Sequence, residues 1–368
     1  WLHHSLLSLQ ETLKKKGVRL LLKKGDPTKI IPELIKEYSP NAIYWSRSYE
    51  PAMIKRNQAV EKICLDIGVS MEKFNTNLLT EPTDIKNKSG SYFKVYTPYY
   101  RAVSTLLTPK KLLGAPRKIS QRSKIKSDSL KAWQLLPKNP DWSQGFSCWN
   151  PGEKGARAAL KKFIRTGLEH YHQKRDFPSA ASTSALSPHL HFGEISIWEV
   201  WNEIKQAQIH EARFQQGAET YLKQLIWREF SYYLLNHFPK LSEKNFNPKF
   251  DKFKWVKNKK HLQAWQKGQT GYPIVDAGMR ELWKTGYMHN RVRMIVASFL
   301  TKDLLIDWRE GEKWFWDTLL DADLANNVAG WQWVAGSGAD AAPYFRIFNP
   351  VLQGEKFDAD GTYVKKWL

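Results

Sequence analysis

From Gly152 to Leu368 the apolar residues recur at helical spacing, and no strand-like run of comparable length breaks the pattern. Leu160, Phe163, Ile164 and Leu168 make one such face, and Val292, Ile295, Val296, Phe299 and Leu300 make another. A period of 3.6 residues cannot be buried by a sheet, because successive strand residues point to opposite sides. Residues 152–368 are therefore expected to fold as a large all-helical domain. The chain before residue 108 reads differently. Short apolar runs at Val18 to Leu22, Ala42 to Trp45 and Val69 to Phe74 alternate with helical stretches at Leu2 to Leu13, Pro32 to Tyr38 and Ala52 to Ile67. That alternation implies a parallel sheet with helices on its faces. Residues 1–107 are thus expected to be a partial, Rossmann-like α/β domain. It opens on a helix, so its first strand is expected to be absent. Residues 108–151 are the expected inter-domain linker. Within it, Thr108 to Lys131 carries many Lys and Arg and one acid, Asp128, which fits a solvated loop as well as a DNA contact.

Charge narrows the partners. Lys and Arg total 57 against 36 Asp and Glu, a formal net charge of +21. A polyanion is the first partner such a chain suggests, and a merely soluble basic protein is the alternative. Two cysteines, Cys64 and Cys148, cannot build a disulfide framework or a zinc cluster and suit a reducing cytoplasm. No run is apolar enough to span a bilayer and no signal peptide opens the chain. Expected, then, is a cytoplasmic monomer with no membrane partner. His189 and His191 lie two apart without further ligands, so no metal is expected.

Between Gly286 and Gly354 polar and aromatic groups crowd together. This stretch holds Met288-His289-Asn290-Arg291-Val292-Arg293-Met294, Asp307-Trp308-Arg309-Glu310-Gly311 and Asp321-Ala322-Asp323-Leu324-Ala325-Asn326-Asn327. Gly330-Trp331-Gln332-Trp333 and Tyr344-Phe345-Arg346-Ile347-Phe348-Asn349-Pro350 close it. Buried polar groups are costly unless paired. We read them as surrounding a large, flat, polar-edged cofactor, with nucleic acid lying over it. Upstream, Thr183-Ser184-Ala185-Leu186-Ser187-Pro188 offers hydroxyls and N–H groups ahead of an apolar segment, which suits a phosphate cradle or a helix cap. Tyr171 and Arg175 share a helix face. In Tyr221-Leu222-Lys223-Gln224-Leu225-Ile226-Trp227-Arg228-Glu229-Phe230, the apolar Leu222, Leu225 and Ile226 should pack inward. Gln224, Trp227 and Arg228 share the other face, and an amide, an indole and a guanidinium suit a flipped nucleotide. A buried Trp beside a solvated Arg is the bland alternative.

Together, Phe192-Gly193-Glu194-Ile195-Ser196, Leu225-Ile226-Trp227-Arg228-Glu229-Phe230, Met288-His289-Asn290-Arg291-Val292-Arg293-Met294 and Gly330-Trp331-Gln332-Trp333 resemble the DNA photolyase/cryptochrome family. They are most similar to its bacterial class I cyclobutane pyrimidine dimer photolyases. The resemblance implies an antenna-type N-terminal domain and a U-shaped FAD, active as FADH⁻, in the helical domain. Tyr171, Thr183, Ser184, Ala185, Leu186, Ser187, Tyr221 and Arg228 match family positions at the phosphates and adenine. Asn290, Arg293, Asp321, Ala322, Asp323 and Asn327 match those along the isoalloxazine, with Asn327 at N5 and Arg293 paired to Asp321. Trp331, Trp308 and Trp255 match an electron-transfer chain, although each alone suits a core. Trp227 and Trp333 match a pair that cradles the dimer, with Gln224, Asn290 and Met294 in its pocket. Arg175, Arg291, Arg346 and Gln353 match positions that grip DNA.

The implied activity is light-driven splitting of cyclobutane pyrimidine dimers in damaged DNA, by an electron from excited reduced FAD to a flipped-out dimer. Three positions depart from the pattern, and at one of them Ala185 replaces a basic residue often found in the phosphate loop. Gln224 stands where such enzymes carry Glu, as in (6-4) photolyases and cryptochromes, so a (6-4) photolyase or a blue-light photoreceptor is the alternative. Asn290 and Met294 oppose the (6-4) reading, because those enzymes carry two histidines there. Met53 stands where folate-antenna enzymes carry Glu, which speaks against a normally bound methenyltetrahydrofolate antenna.

Overall fold

A computed structural model describes residues 1–117, 119–120, 126–341 and 346–368. Tyr344 and Phe345 of the last motif, and part of the basic connector, lie outside the described residues. The N-terminal part runs α1 (Leu2–Lys15), α2 (Pro27–Tyr38), β1 (Ala42–Ser46), α3 (Pro51–Ile67), β2 (Ser70–Phe74) and α4 (Tyr96–Leu106). The helical part holds α5 (Glu153–Thr166), α6 (Tyr171–Lys174), α7 (Ser187–His191), α8 (Ile197–His210), α9 (Gln215–His237) and α10 (Lys259–Gln266). It continues with α11 (Pro273–Thr285), α12 (Asn290–Ser298), α13 (Trp308–Thr318), α14 (Leu324–Ala335), α15 (Pro350–Phe357) and α16 (Thr362–Trp367). Fold class follows the reading from the sequence: a small parallel sheet with helices, then a helical domain.

Local chemistry sets these boundaries. Asp26 accepts the Thr28 N–H at 2.9 Å and Pro27 fixes the first turn of α2. Asp307 and Asp323 cap α13 and α14 in the same way. β1 and β2 pair in parallel from Ala42 opposite Ser70 to Ser46 opposite Phe74. Their connection runs through α3, whose Val60 and Cys64 bury with Ile35 and Val69 in a small core.

One predicted strand is corrected. Val18 to Leu22 is not a strand in the structure. A strand needs a neighbour with a matching ladder. Here the Leu22 N–H donates to the Ser127 hydroxyl at 2.9 Å and the Leu22 carbonyl accepts the Asp128 N–H at 2.8 Å, so irregular chain occupies that edge. α1 is helical as its leucine spacing predicts, yet none of its residues is buried.

The larger core carries the site. Leu160, Phe163, Leu222, Leu225, Ile226, Val292, Ile295 and Val296 are all buried within it, on the faces that the spacing assigned. Tyr49, Leu78, Leu79, Tyr96 and Tyr99 from the N-terminal part join the same core. The seam is polar as well as apolar. Buried Glu229 of α9 accepts the N–H groups of Leu79 and Thr80, at 2.9 and 3.2 Å. No helix among the described residues is long and apolar enough to cross a membrane.

Candidate functional site

The loop before α7 lies against α6 and α9. Tyr171 of α6 and Tyr221 of α9 meet edge to face at 5.3 Å, both buried. The Tyr221 hydroxyl donates to Ser184 Oγ at 3.0 Å. Ser184 also accepts the Leu186 N–H at 3.4 Å, and α7 has no side-chain cap at its N-cap residue. The helix-cap alternative for this segment therefore loses its support. Ala185 holds a left-handed φ of 53°, which costs a side-chain-bearing residue roughly 1–2 kcal/mol. Leu186 is buried, while Ser187 is exposed beside it.

The second wall is built by α12 and the turn into α14. Arg293 binds both carboxylate oxygens of Asp321, at 2.8 and 3.1 Å, and its Nε donates to the Met288 carbonyl at 2.8 Å. The Asp321 side chain is 4% exposed and that of Arg293 24%. Burial opposes the Arg293 charge, but Asp321 outweighs it and raises the pKa. Asp323 accepts from the Asn326 N–H, the Asn326 amide and the Tyr232 hydroxyl. The Asn327 amide donates to the carbonyl and carboxylate of Glu312, at 3.0 and 2.9 Å. Ala322 is half-buried between the two aspartates.

Three groups that sequence reading missed tie these walls together. Thr183 hydrogen-bonds Tyr287, whose hydroxyl burial pushes up to about 12 and which also feels Arg293 and Asp321. His191 is exposed and lies within the field of Asp323, Asp321 and Arg228. Burial lowers its pKa, Asp323 and Asp321 oppose that, and Arg228 reinforces it. His289 caps α12 by accepting the Arg291 N–H. Its pKa falls to about 4, chiefly by burial, so it is neutral near pH 7. The only sequence signal for Tyr287 and His289 was the Met288 to Met294 motif, which contains His289 and follows Tyr287.

Hydroxyls at one end, a paired cation and aspartates at the other, and tyrosines between them match the needs of a dinucleotide. Such a ligand presents phosphates at one end and a ring with acceptor and donor edges at the other, so the donor set fits FAD. A cavity of about 660 Å³ lies elsewhere, between α1 and residues 127–138, and takes no part in this arrangement.

The remaining predicted residues occupy two regions. Trp227 is partly exposed and stacks on Tyr96 at 3.6 Å, 7° from parallel. Gln224, one turn earlier, is half-buried. The Arg228 guanidinium donates to the Asn77 carbonyl at 2.7 Å and to its side-chain oxygen, so it is engaged with the N-terminal part. Asn290 is exposed and reaches the Met294 sulfur at 3.9 Å. Trp333 stacks on Phe348 at 6.4 Å. Arg291 pairs with Asp176 at 3.0 Å and lies over the Phe357 ring. Arg175 is half-buried and Arg346 exposed. Arg291 Nε and Gln353 Oε1 are buried without a hydrogen-bond partner, a costly state.

Two of the three tryptophans are buried and the third reaches the surface. Trp331 is 2% exposed, Trp308 is 0% and Trp255 is half-exposed. The ring neighbours of Trp331 are Phe315 at 4.9 Å and Trp265 at 6.1 Å. Trp308 donates its indole N–H to Asn245 at 3.0 Å.

Two family profiles match the chain: "FAD binding domain of DNA photolyase" over residues 221–368 and "DNA photolyase" over residues 1–117. A deoxyribodipyrimidine photo-lyase of Agrobacterium fabrum is 50% identical over 371 residues, which span 100% of this chain and 77% of that protein. The crystal structure of a class III photolyase from Agrobacterium tumefaciens superposes with a TM-score of 0.96 at 50% identity, over 100% of this chain and 76% of that one. Cryptochrome-1 of Arabidopsis thaliana is 34% identical, over 100% of this chain and 55% of that protein.

Proposed function

Because this chain belongs to the DNA photolyase/cryptochrome family, we propose that it is a deoxyribodipyrimidine photo-lyase, a carbon–carbon lyase that repairs pyrimidine dimers in DNA. When bound, FAD would supply the photoexcited electron needed to open the cyclobutane ring and would take it back afterwards. The protein's part is geometry and electrostatics. Thr183, Ser184 and Ser187 hold the phosphate end. Arg293, paired with Asp321, sets a fixed positive field beside the ring, and Asn327 is held by Glu312 for its role there. The single observation that carries this reading is the bidentate pair between partly exposed Arg293 and the buried carboxylate of Asp321. A partly exposed cation held in place by a buried counter-ion suits an anionic or electron-rich occupant.

The lesion side uses Trp227 and Trp333 as aromatic walls, with Gln224, Asn290 and Met294 between them. Arg175, Arg291, Arg346 and Gln353 hold the DNA backbone. Tryptophans 331, 308 and 255 link the interior to solvent. We take residues 1–107, 108–151 and 152–368 as the α/β part, the linker and the helical domain. The protein works as a cytoplasmic monomer at the nucleoid.

Gln224 favours a second reading, a cryptochrome-type photoreceptor, because an amide cannot replace a carboxyl group in acid–base work. One experiment separates the two. Purified protein is reduced, mixed with an oligonucleotide carrying a thymine dimer, and exposed to blue light. Loss of the dimer only in the light is expected. Flavin absorbance without dimer loss would select the photoreceptor, and a colourless protein that binds DNA would reject both.

A further inference from the structure

We infer that Tyr96 is a positioning residue for lesion recognition. It braces one face of Trp227, leaving the opposite face for a flipped base, and ties together the two walls between which the lesion enters. The inference rests on reading Trp227 as the lesion platform.

Tyr96 is the first residue of α4, in the N-terminal part, 131 positions before Trp227. Three groups of this one residue are engaged. Its ring lies 3.6 Å from the Trp227 ring at 7°, the closest parallel stack among the described aromatic pairs. Its hydroxyl donates to the Lys223 carbonyl at 2.8 Å, beside Gln224 on the preceding turn of α9. Its backbone N–H donates to Asp340 Oδ2 at 3.2 Å. Asp340 follows α14, the helix that carries Trp333, and holds a left-handed φ of 49°. The start of α4 thus bridges α9, which presents Trp227, and the loop that follows α14, the helix that presents Trp333. The Asp340 carboxylate also sits at the positive end of the α4 dipole, a favourable place for it.

The physical consequence is pre-organisation. A partly exposed indole with no backing must be ordered when a base stacks on it, and that cost is taken from the affinity. Tyr96 removes the cost in advance by fixing the ring plane. Its hydroxyl is needed less than its ring, because the hydrogen bond holds a helix that already has its own ladder. Affinity for undamaged duplex, set by arginines and phosphates, does not pass through Trp227 and should not respond.

The test measures dark binding of the FAD-loaded protein to a dimer-bearing oligonucleotide and to its undamaged twin. Tyr96→Leu, Tyr96→Phe, Trp227→Ala and the Tyr96→Leu/Trp227→Ala double variant are compared, with flavin absorbance as a check on the fold. Tyr96→Leu is expected to weaken lesion binding by about 2- to 10-fold, with undamaged binding unchanged. Tyr96→Phe should restore most of the loss, and Tyr96→Leu should cost nothing further once Trp227 is alanine. Equal losses on both oligonucleotides, or additive losses in the double variant, would reduce Tyr96 to ordinary packing and overturn the inference. If Trp227→Ala leaves lesion affinity intact, the platform reading itself fails and takes the inference with it. If Tyr96→Leu does not fold, Asp340→Ala, which releases the α4 N-terminus, carries the same expectations.

Discussion

Trp331 is enclosed by Phe315 and Trp265, and its indole nitrogen is buried without an acceptor. An indole left unpaired so deep in the core is poor design for stability alone. Trp331→Phe keeps the shape and removes the easily oxidised ring. Flavin photoreduction should become much slower, while repair by chemically reduced enzyme stays near the parent's level; equal photoreduction rates would show that Trp331 is not a relay. Glu229 gives a second test on a single residue. Burial raises its pKa to about 7 from an ordinary 4.5, against the pull of Arg228 and two N–H donors. Between those values the native state keeps a proton that the unfolded chain has released. Stability therefore falls as pH rises from about 4.5 to 7, by on the order of 3 kcal/mol, and levels off above. Glu229→Gln keeps an oxygen for Leu79 and Thr80 but cannot ionise. Thermal melts of the variant should lose most of that slope, and an unchanged slope would place the titration elsewhere.

At the scale of elements, α13 and α14 pack so closely that one position admits only glycine. A Cβ on Gly311 would lie 2.1 Å from Cη2 of Trp331, well inside contact distance. Gly311→Ala must therefore move the indole, the helix or both. Overpacking of this kind costs typically 1–3 kcal/mol. The variant should melt several degrees lower, and its flavin photoreduction should slow with the displaced ring. A variant that lost stability with photoreduction intact would separate packing from the relay. α9 shows a different logic. Its inward face carries Leu222, Leu225 and Ile226, while Trp227, Arg228 and Glu229 turn to the N-terminal part through Tyr96, Asn77 and the 79–80 backbone.

The whole molecule carries a net charge of +21, and the proposed DNA contacts draw on it through Arg175, Arg291 and Arg346. Each phosphate neutralised releases counter-ions, so affinity for duplex should fall by roughly 0.9 log units per log unit of salt for each contact. Arg346 is exposed, and no side-chain ion pair involves it among the described residues. Arg346→Gln should lower the salt slope by about one and weaken damaged and undamaged duplex alike. A loss confined to the damaged strand would move Arg346 from the backbone to the lesion. Arg291 must share its charge with Asp176, so Asp176→Asn is the variant that frees it.

Sequence alone determined what depends on spacing and on residue chemistry. The switch from alternating strands and helices to unbroken helical periodicity gave both parts of the fold, because period decides which face can be buried. The ordered polar and aromatic motifs gave the family, and the Arg293–Asp321 pair followed from that resemblance. Tertiary structure decided what depends on distant partners. Val18 to Leu22 has strand composition, but pairing is a property of two segments, and the 127–128 chain took its hydrogen bonds. Arg228 reads as a free cation until Asn77 is found against it. Tyr96 is one aromatic among many until the fold sets its ring against Trp227, since no local pattern encodes a contact across 131 residues of chain.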